Sequence, residues 1–159
     1  MTPAIKLLEQ AGVPFQVLTY EHDDACMEYG LEAAGKLQVD PASMFKTLVV
    51  KSDTGTLAIA LLSVQDKVDL KKLAHAFGTR KADLADSTLA EKTTGYVIGG
   101  ISPLGGRKKL MTFIDEAVIL VETIYVSAGK RGMQLKLAAD DLIRLTAASV
   151  VPLAVVSQG

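Results

Sequence analysis

Two stretches of the 159-residue sequence hold residue types suited to chemistry. The first is Phe45-Lys46-Thr47-Leu48-Val49-Val50, a lone lysine at the mouth of an apolar, β-branched run. Its stem starts among apolar neighbours, and an ammonium partly withdrawn from water pairs strongly with a carbonyl oxygen or a phosphate. The plainer reading is a solvated strand end. The second stretch is Gly95-Tyr96-Val97-Ile98-Gly99-Gly100-Ile101-Ser102-Pro103-Leu104-Gly105. Paired glycines let a backbone approach a ligand closely and offer N–H donors, although a tight turn uses the same residues. We expect Lys46 and the backbone of this loop to face each other across one pocket. A third stretch, Ser127-Ala128-Gly129-Lys130-Arg131-Gly132, sets small residues beside two cations. That pattern suits a phosphate, a ribose or a terminal carboxylate, and equally a solvated turn.

The common catalytic patterns fail on spacing. Gly106 stands where a phosphate-binding loop needs lysine, and no G-x-G-x-x-G follows a strand. No G-x-S-x-G elbow is present. His22, His75 and Cys26 lack the spacing of a metal site, and Cys26 has no nearby Cys or His to activate it. One reaction class tolerates this inventory, the cleavage of an already activated ester. There the protein need only position the substrate and stabilise the developing oxyanion. The attacking group is then water or a group that the substrate itself carries.

The elements that must hold these residues are legible in part. Thr2 caps a first helix with Pro3 at its first position, and Gly12 ends it. A short strand is expected over 15–20 and a second helix over 31–37. Strands over 46–51 and 56–62 form a hairpin around Asp53-Thr54-Gly55. Asp69 caps a helix over 70–77 that Gly78 closes, and Asp86 or Ser87 starts another that ends near Gly95. Strand formers fill 110–114 and 118–126, alternation marks 134–137, a helix is expected over 139–145, and 150–156 is extended. Interspersed helices with strands joined by short turns indicate an α+β domain with a mixed, mostly antiparallel sheet.

Hydrophobic residues make up 49% and charged residues 22%, as in globular chains. The net charge of −1 excludes a global basic field. Contact with nucleic acid would fall to local clusters such as Arg107-Lys108-Lys109 or Lys67, Lys71 and Lys72. The sequence has one cysteine, no basic-then-apolar leader at Met1-Thr2-Pro3-Ala4-Ile5-Lys6, and no apolar run near the ~20 residues that span a bilayer. A soluble, cytoplasmic protein without a membrane partner is therefore expected.

Several blocks occur in order: Met1-Thr2-Pro3-Ala4, Tyr20-Glu21-His22-Asp23, Phe45-Lys46-Thr47-Leu48, Thr94 to Gly105, and Glu122 to Gly132. In these the chain resembles, over nearly its whole length, the YbaK/EbsC group. These are Cys-tRNA(Pro) deacylases related to the editing domain of bacterial prolyl-tRNA synthetase. The resemblance implies one editing domain over 1–159 with a barrel-like sheet and surrounding helices. It implies a free-standing enzyme that hydrolyses Cys-tRNA(Pro) in trans, without metal or cofactor. The substrate thiol would assist, which explains the missing protein nucleophile. Cysteine and proline are close in size, so a synthetic pocket separates them poorly and a later sieve is needed. Lys46 becomes the catalytic residue, with Gly99, Gly100, Ile101 and Ser102 as the substrate loop. Tyr20, His22 and Thr47 would wall the pocket, and Ser127 and Gly129 would contact the terminal adenosine. The implied partners are the acceptor end of a mischarged tRNA and prolyl-tRNA synthetase. Ala128 stands where relatives often have glycine. The residues by themselves do not choose cysteine over alanine, and removal of alanine from Ala-tRNA(Pro) or a non-catalytic tRNA- or synthetase-binding role stay open beside that choice.

Overall fold

The computed structural model describes residues 1–156. In chain order its helices are α1 (Pro3–Ala11), α2 (Tyr29–Leu37), α3 (Leu70–Phe77), α4 (Ser87–Thr94) and α5 (Ala139–Thr146). Its strands are β1 (Phe15–Thr19), β2 (Phe45–Ser52), β3 (Leu57–Ser63), β4 (Ala82–Leu84), β5 (Met111–Asp115), β6 (Thr123–Ser127), β7 (Met133–Ala138) and β8 (Ser149–Val151). The last three positions of the domain expected over 1–159 lie outside the described residues.

The strands form two sheets, one in the order β1-β7-β6 and one in the order β4-β2-β3-β5-β8. Pairing is antiparallel except for β3 with β5 and β5 with β8, which gives the expected mixed, mostly antiparallel α+β fold. The barrel-like expectation is not met among the described residues. Neither sheet closes on itself, and an isolated parallel bridge between Met44 and Tyr125 joins the two.

The main core lies between the sheets. Phe45, Val49, Ile59 and Leu61 of the larger sheet pack with Ile124, Val126, Leu135 and Leu137 of the smaller one and with Ala4, Ile5 and Leu8 of α1. Alternation along β3 sends Ala58 and Ala60 to the opposite face, where they meet Leu73 of α3, Phe113 and Leu153. Each fully buried leucine there contributes about 1.5–3 kcal/mol, which the backbone ordering of the sheets offsets.

Helix ends follow their local signals. Thr2 accepts the Ile5 N–H, Asp69 accepts those of Lys71 and Lys72, and Asp86 accepts that of Leu89. Gly12, Gly78 and Gly95 end their helices with positive φ. The strand formers over 118–126 divide differently. Glu116–Leu120 is a 3-10 turn whose start is capped by the Asp115 side chain, and only Thr123–Ser127 is strand. Asp115 also accepts the Leu153 and Ala154 N–H groups, so one buried carboxylate ties this turn to the end of the chain. The short strand β4 has no sequence counterpart, because it exists only through its pairing with Val50, Lys51 and Ser52. No helix among the described residues is long and apolar enough to cross a membrane.

Candidate active site

Because β4 pairs only with the far end of β2, the stretch from Phe45 to Leu48 keeps an open edge. Where that edge approaches β6, a cavity of about 440 Å³ opens. Its walls include Met44 to Leu48, the segment Met27 to Leu31 at the start of α2, and Val64 to Lys67 after β3. Ile98, Gly99 and Ile101 of the glycine-rich loop, Ser127 and Gln134 complete them. Lys46 and the loop thus share one cavity, as expected. Ser127 and Gln134 are directly paired across β6 and β7, so both side chains stand on the same face of that sheet.

The Lys46 ammonium donates to the Asp66 carbonyl oxygen at 2.5 Å. Burial pulls its pKa below the ordinary lysine value, the Asp66 carboxylate opposes this, and Lys67 adds to it. Burial likewise pushes the Asp66 carboxyl up, aided by Asp115 and opposed by Lys46. The cation is therefore held at a fixed point, with less competing water than at an open surface.

The glycine loop meets the cavity through part of its backbone. Ile98 N–H donates to Glu91 Oε2 at 2.8 Å and Gly100 N–H to the Val97 carbonyl at 2.9 Å. Among the described residues, the N–H groups of Gly99 and Ile101 have no protein acceptor. Gly99 has φ +86°, and an added Cβ would lie 2.6 Å from the Tyr29 ring. At Gly100 an added Cβ would lie 2.7 Å from Lys130 Cα, so this glycine is fixed by packing against the 127–132 loop. Arg131 fastens the same junction. Its Nε donates to the Ile98 carbonyl at 2.8 Å, and its guanidinium lies 4.9 Å from the centre of the Tyr29 ring.

Of the residues expected at the site, Lys46, Thr47, Gly99, Ile101 and Ser127 line the cavity. Gly100 sits behind it. Ser102 is buried on another side, where its hydroxyl accepts the Leu104 N–H. Gly129 packs on Tyr96 and Thr2, away from the cavity. Tyr20 and His22 line a separate open groove with Asp23, Asp24 and Lys36. The His22 Nδ1 lies 2.6 Å from Glu32 Oε1. Burial alone would raise the Glu32 pKa, but the Asp23 N–H, His22 and Lys36 outweigh it and hold the carboxyl at about 2. Burial pushes the Tyr20 phenol up against the Gly132 backbone contact, and the Gln134 side chain is among the smaller influences on it. Tyr20 therefore backs the wall that Gln134 faces. Ala128 has no positive φ, so its Cβ is accommodated without strain.

Sequence reasoning missed Asp66, Tyr29 and Gln134. Asp66 contributes through its main chain, which no residue type announces. Gln134 occupies the polar parity of an alternating strand, a position that ordinarily faces solvent.

A family model for the aminoacyl-tRNA editing domain matches residues 26–145. The chain is similar to EbsC of Enterococcus faecalis, a candidate Cys-tRNA(Pro)/Cys-tRNA(Cys) deacylase. They are 37% identical over 148 residues, which span 91% of this chain and 88% of that protein. It is also similar to the multifunctional Ser/Thr-tRNA deacylase ProXp-y of Escherichia coli, 28% identical over 148 residues, 92% of this chain and 88% of that one. A solved structure of a candidate trans-editing enzyme for prolyl-tRNA synthetase shares the fold, with a TM-score of 0.83 at 23% identity over 98% of this chain and 99% of that one.

Proposed function

The chain belongs to the aminoacyl-tRNA editing domain family, and we propose that it releases cysteine from mischarged Cys-tRNA(Pro), acting in trans as one domain over 1–159. The observation that carries this reading is the shared cavity. A lysine ammonium fixed by the Asp66 carbonyl stands in the same walls as two uncommitted backbone N–H groups, at Gly99 and Ile101. Donors placed in advance are suited to an oxygen that gains negative charge, because they need no reorganisation as the charge forms.

In this mechanism the ester carbonyl enters between Lys46 and the loop. Water, or the thiol of the bound cysteine, adds to the carbonyl carbon, and Lys46 with the N–H donors holds the resulting oxyanion. The C–O bond to the ribose then breaks, and the ribose oxygen leaves with the proton given up by the attacking O–H or S–H; attack by water yields cysteine directly, whereas attack by the thiol yields a cyclic thiolactone that water then opens to cysteine. Thr47 and Ser127 line the aminoacyl side. Tyr20 supports the wall from behind, and the backbone at Gly99 and Ile101 together with Ser127 is the proposed approach for the terminal adenosine. His22, paired with Glu32, shapes the neighbouring groove. The EbsC relative is named for Cys-tRNA substrates, which supports cysteine as the amino acid removed. Prolyl-tRNA synthetase is the proposed partner that supplies the mischarged tRNA, and the cytoplasm is the proposed site of action.

The test is a deacylation panel of tRNA(Pro) charged with cysteine, serine, alanine or proline. The expected result is rapid release of cysteine and sparing of proline, with a sharp loss of rate when the thiol is blocked. Binding of the panel without release of any amino acid would overturn the enzymatic reading. Equal rates for free and blocked thiols would assign the attack to water.

A further inference from the structure

A second cavity, of about 140 Å³, lies where the segment from Ser102 to Leu110 meets α1, β3, β5 and α5. It shares no wall residue with the cavity that holds Lys46. Among the described residues, the charged side chains in its wall are Lys108 and Lys109, both exposed, and no carboxylate accompanies them. Four hydroxyl-bearing residues also line it. Three of them donate to main-chain carbonyls: Thr94 to Ala90 and Thr146 to Leu142 at 2.8 Å, and Thr112 to Leu110 at 3.3 Å. Ser102 differs. Its Oγ accepts the Leu104 N–H, and among the described residues its own proton has no acceptor. Ser102 is 1% exposed, so open solvent does not take that proton either. The N–H groups of Gly105 and Gly106, in the same wall, also lack a protein acceptor among the described residues. Uncommitted donors beside two cations, with no carboxylate near them, describe an anion site.

Size and charge narrow the anion. A cavity of about 140 Å³ is well below the ~300 Å³ at which pockets begin to enclose a drug-sized molecule, so it takes a single small group. Two lysines match the charge of about −1.5 to −2 on a phosphate monoester at neutral pH, whose three terminal oxygens each take a donor. A carboxylate brings one negative charge and a planar pair of oxygens, a poorer match to donors on several sides. A phosphodiester inside an RNA strand carries one charge and a sugar on either side, which leaves no free end to reach a hydroxyl as enclosed as that of Ser102.

We infer that this second cavity binds a phosphate monoester or the free phosphate ion, held by Lys108, Lys109, the Ser102 hydroxyl and the N–H groups of Gly105 and Gly106. The two sources share one dianionic head. The monoester within reach of an acceptor-end reader is the 5′-terminal phosphate of a tRNA, which lies at the same end of that molecule as the aminoacylated 3′ terminus. That source rests on the reading of the chain as a tRNA editing enzyme, whereas the phosphate site itself does not. The Ser102 segment continues directly from Gly99 and Ile101, so one loop serves both cavities.

The experiment titrates the full chain with inorganic phosphate by calorimetry at constant ionic strength, with acetate as the comparison anion. One site is expected, with a Kd of about 1 mM for phosphate and binding at least about tenfold weaker for acetate. The double variant Lys108→Ala/Lys109→Ala is expected to weaken phosphate binding at least about tenfold, and Ser102→Ala about threefold. Lys51→Ala/Lys71→Ala, which removes two exposed cations elsewhere, is expected to stay within about twofold of wild type. Thermal unfolding confirms that each variant is folded. No saturable phosphate binding, equal binding of acetate, or an equal effect of the two double variants would overturn the inference. A second arm compares acceptor-stem RNA bearing a 5′-phosphate with the same RNA bearing a 5′-hydroxyl. Binding of the phosphorylated form tighter by about fivefold, and lost in Lys108→Ala/Lys109→Ala, assigns the site to the RNA terminus. Equal affinity of the two RNAs with phosphate binding intact assigns it to the free ion. Failure of deacylation with phosphate binding intact would overturn the editing reading and leave this site standing.

Discussion

At the scale of single residues, two side chains separate function from stability. Lys46 is a half-buried cation whose charge is disfavoured by its surroundings. If the ammonium stabilises the oxyanion, activity must fall when it loses its proton. That loss must begin at a pH below the ordinary lysine value of 10.5, because burial lowers the pKa. A pH profile of kcat/KM on a thiol-blocked or seryl ester, which removes titration of the substrate thiol, checks this. Glu32 is the opposite case. Its carboxyl is held at about 2 against 4.5 in a free side chain, so the folded state favours the charged form. Its stabilisation is complete above about pH 4.5 and is lost as the pH falls toward 2. Glu32→Gln should lower stability by about 1–2 kcal/mol at neutral pH, and the gap to wild type should close on acidification through that window. Thermal unfolding at a series of pH values measures both.

At the scale of elements, the site depends on two loops that interlock through missing side chains. An alanine at Gly100 would drive its Cβ into the Lys130 main chain, which has no flexible end to move aside. Gly100→Ala should cost about 1–3 kcal/mol and displace both loops, so activity should fall along with stability. Gly35, inside α2, has open space where its Cβ would go. Gly35→Ala should instead stabilise by about 0.5–1 kcal/mol with activity retained. Denaturant unfolding of the two variants checks the contrast. The same scale shows what the sequence made legible. Helix boundaries at Thr2 and Gly12, Asp69 and Gly78, and Asp86 and Gly95 were readable because caps act within one turn. The β2–β3 hairpin was readable from the Asp53-Thr54-Gly55 turn between two runs of strand formers. The 3-10 turn at Glu116–Leu120 was not, because the Asp115 cap overrode a run of strand formers and left Ile119 77% and Leu120 85% exposed. Lys46 and Gly99 could be placed in one pocket from sequence blocks, but Gln134 and the Asp66 carbonyl could not. Their roles arise where two sheets meet, and that meeting has no local signature.

At the scale of the whole molecule, a net charge of −1 limits what the surface does alone. Phosphate contacts by a few local lysines and arginines release few counterions, so tRNA binding should be weak with a shallow salt dependence, a log–log slope of magnitude below about 3. Added prolyl-tRNA synthetase should tighten it. Anisotropy of labelled tRNA(Pro) across a salt series, with and without the synthetase, gives both numbers, and tight, steeply salt-dependent binding by the chain alone would remove the need for a partner. Above all, the folded molecule is held to be a scaffold that brings one ammonium group to an ester. The most direct measurement is single-turnover release of cysteine from Cys-tRNA(Pro) by wild type and Lys46→Ala, with thermal unfolding of both. A fall in rate of at least about 100-fold with the fold intact is the predicted result, and an unchanged rate in Lys46→Ala would contradict it.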